Sequence, residues 1–553
     1  MRKKVMLSLL VAFLLGVLSQ PLLAQPDTVA ASGVTIVSSF RPTLKQASKI
    51  NFSAMSLTAD TNRSVLPYRI PDRQLVLDYS IRAIQPLAYT TDTVKPFSNR
   101  SFVKVGYGNL RNPYLRVGIE GGNGGTKGFS LSGRYLSLTQ HPDAKDMRYY
   151  RNGEVNASGY TQLKRASYKL LSSVEYRNER VNNNLLYDSA RSLSAFPKDS
   201  LRQEFSLLHA QVQLLSTAPV GSGITLNPLV RVYQFFDAKK NAETYLQLQA
   251  PLQKQIGDSW WVQTVFSVQA LRYKHQNTLL SITPSVRYQH SSFQVWAGVS
   301  PTWNTGRFAA LPQLAVTYAL PGKKSSLMAG WNGRWNQNSY RELASLNPWI
   351  WAPTALRTSR ITERYLGVKG QVNSQMDYDL RAQLLTTEDA PLFLNDTSHS
   401  PASAFRVIYE ERLEQLQLQA RIAYRIATQF SFSSQLLFTH FFKPRVQPVA
   451  WGLLPLEWQS SFRLALTDEL WLQSDLVIFK GAHYRDRNNK IARSAGAADL
   501  NAGLTFAISR SFQVWAQFNN LFNQPYQRWN LNPVVGFNCS GGIVFSFDQK
   551  KKP

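Results

Sequence analysis

A single cysteine, Cys539, stands in the whole chain, which excludes an intramolecular disulfide and any cysteine cage for a metal ion. Histidine adds no site: His141, His209, His275, His290, His399, His440 and His483 lack the short spacing that brings two imidazoles, or an imidazole and a carboxylate, onto one ion. No Gly-x-Ser-x-Gly element marks a nucleophile. The glycine run Gly121-Gly122-Asn123-Gly124-Gly125 lacks the Lys-Ser/Thr of a phosphate loop and reads as a turn. With no catalytic residue, cofactor site or metal site to assign, the chain is not expected to be an enzyme.

Acidic residues are also scarce, 34 against 62 Lys and Arg, for a net charge of +28. The basic residues are spread along the chain without a helix-turn-helix, a zinc finger or an aromatic platform to focus them, so a nucleic-acid partner is not expected. An excess of this kind suits the lining of a lumen or contact with anionic lipid headgroups. Long apolar runs are missing too, except from Val5 to Leu18, which follows Arg2, Lys3 and Lys4 and precedes Leu22-Leu23-Ala24. That run falls short of the ~20 residues of a spanning helix, and residues 1–24 read as a cleaved secretory signal. Its removal leaves a charge of +25. An exported chain without a membrane helix can enter a bilayer only as a closed sheet, because hydrocarbon leaves no other way to satisfy backbone hydrogen bonds. The expected location is the outer membrane of a Gram-negative-type envelope.

What the chain does have is alternation. Leu416, Leu418, Ala420, Ile422, Tyr424 and Ile426 interleave with Gln415, Gln417, Gln419, Arg421 and Arg425, so one face of a strand is apolar and the other is wet. After Ala427-Thr428-Gln429 the pattern resumes with Phe430, Phe432, Leu436 and Phe438 against Ser431, Ser433 and Gln435. Oil on one side and Gln, Ser and Arg on the other fit a barrel in lipid around water. The inward candidates are Gln417, Gln419, Arg421 and Arg425. Segments of this type tile the chain from Phe102 to Phe547 and number about 22, an even count that lets the sheet close. The fold expected is all-β: an antiparallel up-and-down transmembrane barrel over 101–547. It is preceded by the signal and a short irregular segment, 25–100, placed in the periplasm or the lumen, and followed by a basic tail, 548–553. A soluble sandwich also alternates, but seldom needs so many strands. Trp260, Trp261, Trp458 and Trp471 are candidates for the interfacial girdles. Cys539 falls on the apolar face of the last strand with Phe537, Ile543, Phe545 and Phe547. Extended loops are expected over Asn338–Thr362, Phe393–Ala402 and Lys443–Pro455, outside the cell by the rule that short turns face the periplasm.

The stretch Phe512 to Tyr526, with Asn520-Leu521-Phe522-Asn523 and Tyr526 at its end, and the aromatic last strand running to Phe547, resemble the close of a TonB-dependent receptor barrel. Val34-Thr35-Ile36-Val37 resembles the segment in which such receptors carry a TonB box. The resemblance implies 22 strands, but the residues between Val37 and the barrel are too few for the family's plug. The chain thus resembles short, plug-less TonB-receptor-like barrels of Bacteroidetes-type outer membranes. The function implied is transport or binding of a solute, anionic or polyhydroxylated to suit a Gln/Arg wall. The alternative is a scaffold subunit of a larger envelope complex; an apolar conduit fits such a wall poorly. The partners implied are outer-membrane lipid, the barrel-assembly machinery and a periplasmic or outer-membrane protein.

Overall fold

A computed structural model of the chain describes residues 100–122, 126–140, 148–163, 167–182, 202–217, 223–322, 324–400, 403–426, 429–486 and 488–548. The signal, the segment 25–99 with Val34, Thr35, Ile36 and Val37, and the tail 549–553 lie outside the described residues.

Antiparallel strands follow one another in chain order from Arg100–Gly108 and Tyr114–Gly122 to Phe512–Asn519 and Asn538–Asp548. The first strand pairs with the last, from Arg100 opposite Asp548 to Gly108 opposite Ser540. The ring closes on itself and leaves no open edge, the arrangement that lets a sheet satisfy its backbone hydrogen bonds in a bilayer. The sheet contains 23 hydrogen-bonded pieces, of which Ile224–Leu226 and Leu229–Asp237 both pair with Ala242–Ile256 and form one interrupted strand. The interruption is Asn227-Pro228, where proline has no N–H to give the ladder; Asn227 Oδ1 accepts the Ser216 N–H at 2.7 Å instead. The ring therefore has 22 strands, as the alternation leads one to expect.

The outward face is apolar on all sides: Val155, Val174, Leu208, Val232, Phe266, Leu314, Leu418 and Phe545 project from successive parts of the wall, and Leu366 is 69% exposed. A belt of this kind is stable only in hydrocarbon, and the protein is an outer-membrane β-barrel. Trp260 and Trp458 stand on this face near opposite ends. Trp261 and Trp471 do not join them, since each is one residue out of phase. Trp261 stacks under Arg287, 4.3 Å away, and Trp471 pairs with Thr505 between the outward Leu504 and Phe506. Cys539 keeps the parity of the outward Ile543, Phe545 and Phe547.

One end of the ring has mostly short turns, such as 257–259, 372–375 and 466–469, and also holds Arg100 and Asp548; the other carries the long connections 337–358, 442–455, 481–496 and 520–537. By the usual asymmetry the first end is periplasmic and the second external. Two sequence expectations change here. The strand from Met376 runs 25 residues to Ser400, so Phe393–Ala402 is mainly a continued ladder with Ser403–Ile426 and not the extended loop expected. Asp548, assigned to the tail, is the last paired residue of the barrel. The long hairpin has more than twice the 9–11 residues a strand needs to cross hydrocarbon, and its upper part stands clear of the membrane.

Candidate functional site

The loop 337–358 folds into the barrel mouth. Ser339 caps a short helix, Tyr340–Leu346, by accepting the Glu342 N–H at 3.1 Å, the start of an S-x-x-E pattern. The helix buries Tyr340, Leu343 and Ala344 against Phe205, Leu207, Tyr233, Phe235 and Tyr273. Those five side chains share the face opposite the lipid-exposed Leu208, Val232, Phe236 and Phe266, so they point inward. Expectation and structure part here: the lumen wall is polar only in its lower part, and its external end is apolar because a loop packs on it. Each large side chain fully buried in such a core contributes about 2 kcal/mol.

The loop crosses from wall to wall. Gln203, on Arg202–Ser216, donates to the Ile350 carbonyl at 3.0 Å. One residue on either side, the Trp351 N–H donates to Phe405 O at 2.8 Å and the Phe405 N–H to Trp349 O at 3.1 Å. Phe405 belongs to a strand ten places further round a ring of 22, nearly opposite. Ile350 is completely buried between the two walls. The latch at the helix start is Glu243, whose carboxylate accepts the N–H groups of Tyr340 and Arg341 and the Tyr233 hydroxyl. Tyr340 donates its hydroxyl to Asp237 at 2.8 Å. Asn338, in the left-handed region at φ 48°, ties the two ends of the loop by donating to Arg357 O and Ser359 Oγ.

Burial first, and the neighbouring Asp237 second, push the Tyr340 hydroxyl far above the ordinary phenol range. A raised acid pKa favours the folded state only while the unfolded hydroxyl keeps its proton. The cap is therefore expected to be insensitive to mild alkali on this account and to loosen as pH rises above 10.0, where the unfolded phenol ionises and the buried one does not. Hydrogen exchange of 340–351 across that range checks it, and the Tyr340→Phe protein should show a weaker dependence.

Other loops pack above. Ala390, Leu392 and Leu394 of the projecting hairpin join Leu413, Ala450, Trp451 and Leu453 in a second buried cluster. Gly452 takes φ 75° with Phe393 Cβ and Trp529 each 2.9 Å from where its own Cβ would be, so only glycine fits that approach. The external end is thus a folded dome and not a fringe of loose loops.

Below the cap the four lumen candidates occupy one inward stripe of Ser403–Ile426, but they do not act as a group. Gln417 is fully buried and accepts from Gln383 across the ladder. Gln419 lies against Arg421, its amide oxygen 2.9 Å from the guanidinium when the amide is oriented to satisfy both. Arg421 opens onto a cavity of about 1040 Å³ lined also by Gln294, Thr317, Lys369, Asp379 and Gln459. Arg425 lies nearer the periplasmic end and is exposed. The cavity wall is mixed in sign, since Asp379 faces Arg421 in register. A smaller external pocket of about 470 Å³ under 355–358 is lined by Arg307, Arg357, Asp389, His275 and Asn277. Asp389 bridges both arginines, at 3.4 and 3.1 Å. The sequence pattern gives no sign of this pocket because its residues come from strand ends and a loop far apart in the chain. Among the described residues, no group of three His, Cys, Asp or Glu is placed to hold a metal ion.

The C-terminal motif is a structural knot. Asn520 donates to Gln524 O and Val535 O, accepts the Gln524 N–H, and has its own N–H bound by Asn501 Oδ1. Asn523 accepts the Phe537 N–H at 2.8 Å, and the buried Tyr526 donates to Asp499 at 2.7 Å. Leu521 and Phe522 are exposed, and Phe547 sits on the lipid face opposite Ser101 at the barrel seam. Asn520→Ala removes three buried hydrogen bonds at a residue with φ 48° and should cost about 3 kcal/mol. Leu521→Ala should cost little. Urea midpoints followed by tryptophan fluorescence distinguish the two.

No family model matches the chain, and no curated protein matches its sequence. Solved structures match its fold. The FrpB iron transporter from Neisseria meningitidis superposes with a TM-score of 0.61 at 11% identity, over 82% of this chain and 82% of that one. The siderophore receptor PirA from Acinetobacter baumannii gives 0.61 at 9% identity, over 81% and 80%. The ferric-catecholate import receptor Fiu from K12 E. coli gives 0.60 at 9%, over 81% and 82%. At such identities the likeness is one of fold: a large closed barrel that here carries its own dome.

Proposed function

We propose that the chain is a gated outer-membrane barrel that binds and passes a polar solute, of the short plug-less TonB-receptor-like kind of Bacteroidetes-type envelopes. The observation that carries the proposal is the wall-to-wall crossing of the lumen by 349–351 above a polar cavity. An apolar lid over a hydrogen-bonding chamber lined by Gln294, Thr317, Arg421 and Gln459 suits a solute that must be admitted and held, not a freely diffusing ion. The mixture of Lys369 and Arg421 with Asp379 suits a polyhydroxylated solute, anionic groups being met by the arginines. The external pocket around Arg307, Arg357 and Asp389 is the first contact in this scheme. The fold neighbours, an iron transporter, a siderophore receptor and a ferric-catecholate import receptor, support passage of a solute but do not identify this one.

The segment 25–100 precedes a strand that starts at the periplasmic end, and we assign it to that side, as an occupant of the lower lumen or a contact for a periplasmic partner. The Asn520 knot and the Phe547 strand are the features we assign to recognition by the assembly machinery. A scaffold role is the second reading, and the packed dome favours it, since a folded outer surface is what a partner protein can dock on. Bilayer recordings of the whole protein, of a protein lacking residues 26–95, and of one also lacking the lid separate these readings. Stepwise opening when the segments go supports transport, whereas silence throughout together with a co-purifying partner supports the scaffold. A current that does not respond to removal of 26–95 alone sinks its assignment to the lumen.

A further inference from the structure

On the outside of the ring, at the external ends of three adjacent strands, arginines gather on the lipid side. Arg151 of Arg148–Leu163 pairs in register with Arg180 of Tyr168–Asn182, and Arg180 with Glu204 of Arg202–Ser216. Their parity is that of the lipid-facing Val155, Val174, Tyr176 and Leu208, and opposite to that of the inward Tyr150, Val181 and Phe205. Arg202 lies one row higher on the same face, 3.8 Å from Glu204. Glu204 also takes the Arg180 guanidinium on one oxygen, at 2.9 and 2.8 Å, and Arg151 on the other, at 3.3 Å. Asn178 and Ser206, in the row beneath, complete the network by donating and accepting at 2.9 Å. Three guanidinium groups thus surround one carboxylate, a net charge of two positive units among the described residues of the patch.

The position of the patch decides its partner. Tyr135, Tyr176 and Phe236, all strongly exposed, lie immediately below it, and such a ring marks the boundary between hydrocarbon and headgroups. Charge directly above this boundary, facing outward, meets the headgroups of the outer leaflet. The partly buried, mutually held side chains, 26–33% exposed for the three arginines, lose little freedom on binding a ligand. Planar, fixed guanidiniums recognise phosphate in two-point fashion. We infer that Arg151, Arg180 and Arg202 form a binding site for the phosphate of an anionic glycolipid in the outer leaflet. By contrast, another outward arginine group, Arg360 and Arg412 with Glu388 and Glu414, is balanced in charge.

Titration of the detergent-solubilised whole protein with a bis-phosphorylated, acylated glucosamine disaccharide, read by native mass spectrometry, tests the site. The wild type should bind it, and its dephosphorylated form and inorganic phosphate about tenfold more weakly or not at all, because both phosphate charge and acyl chains are needed. The R151Q/R180Q/R202Q protein should lose about tenfold in affinity, and R412Q should lose none. E204Q gives a result of opposite sign: removing the competing carboxylate should tighten binding, which guards against a triple variant that merely folds badly. Equal binding of the phosphorylated and dephosphorylated lipids, or an E204Q protein that binds more weakly while keeping its heat-modifiable mobility, overturns the assignment. Saturation by inorganic phosphate alone would do the same, as would retention only of an acidic protein from the membrane fraction.

Discussion

Replacing Tyr340–Trp351 by a short Gly-Ser linker, in a protein also lacking residues 26–95, should turn a closed barrel into a conducting one, with bilayer current rising by an order of magnitude or more. A 22-stranded ring encloses a lumen wide enough to need filling, and at the external end the filling is this loop. It brings the buried Tyr340, Leu343 and Ile350 to an inward apolar patch and ties Gln203 to Phe405 through the backbone at 349–351. The barrel wall should survive, since its ladder is continuous without the loop, and unchanged heat-modifiable migration provides the control. A milder lesion should act in the same direction. Glu243→Ala leaves the Tyr340 and Arg341 N–H groups and the Tyr233 hydroxyl without their acceptor, and flickering openings are expected in place of a steady pore.

The second large effect is expected at Glu410. This residue is completely buried in the projecting hairpin, and its carboxylate accepts the N–H groups of Arg445, Val446 and Gln447 at 2.9, 2.8 and 2.7 Å. Three charge-assisted bonds from consecutive amides fix the start of the loop that carries Ala450, Trp451 and Gly452 onto the hairpin. Glu410→Ala strands those amides away from water and should cost the dome about 3 to 5 kcal/mol. The loss is local. Hydrogen exchange over 443–455 and cleavage at Arg445 should accelerate by two orders of magnitude or more, while the barrel strands keep their protection. Glu410→Gln, which keeps one oxygen, should fall between. Loss of protection throughout the barrel would show that the dome is not a separate layer of stability.

Most of the ring was legible because period-two alternation reports directly which side of a strand meets oil. It was legible best where the inside is wet, as from Gln415 to Ile426. It failed where a different surface covers the wall. Phe393, Leu394, Phe405 and Val407 interrupt the alternation because the upper hairpin is buried on both faces, one against Ile350 and Trp529 and the other against Trp451. The lid was hidden for another reason. Its burial depends on Phe205, Tyr233 and Tyr273, more than sixty residues away in the chain, and a helix of seven residues leaves little periodic trace. The Asn-Leu-Phe-Asn motif was visible as a resemblance, but that Asn520 is a hydrogen-bond hub while Leu521 is exposed is apparent only from the closed structure.

The most direct test is the rate at which a charged, membrane-impermeant thiol reagent, added from the external side of intact cells, labels Arg421→Cys in a Cys539→Ser background. Arg421 opens onto the chamber below the cap. Slow labelling that accelerates sharply when Tyr340–Trp351 is replaced is the predicted result; equal and rapid labelling with and without that loop would contradict an external seal made by the chain itself.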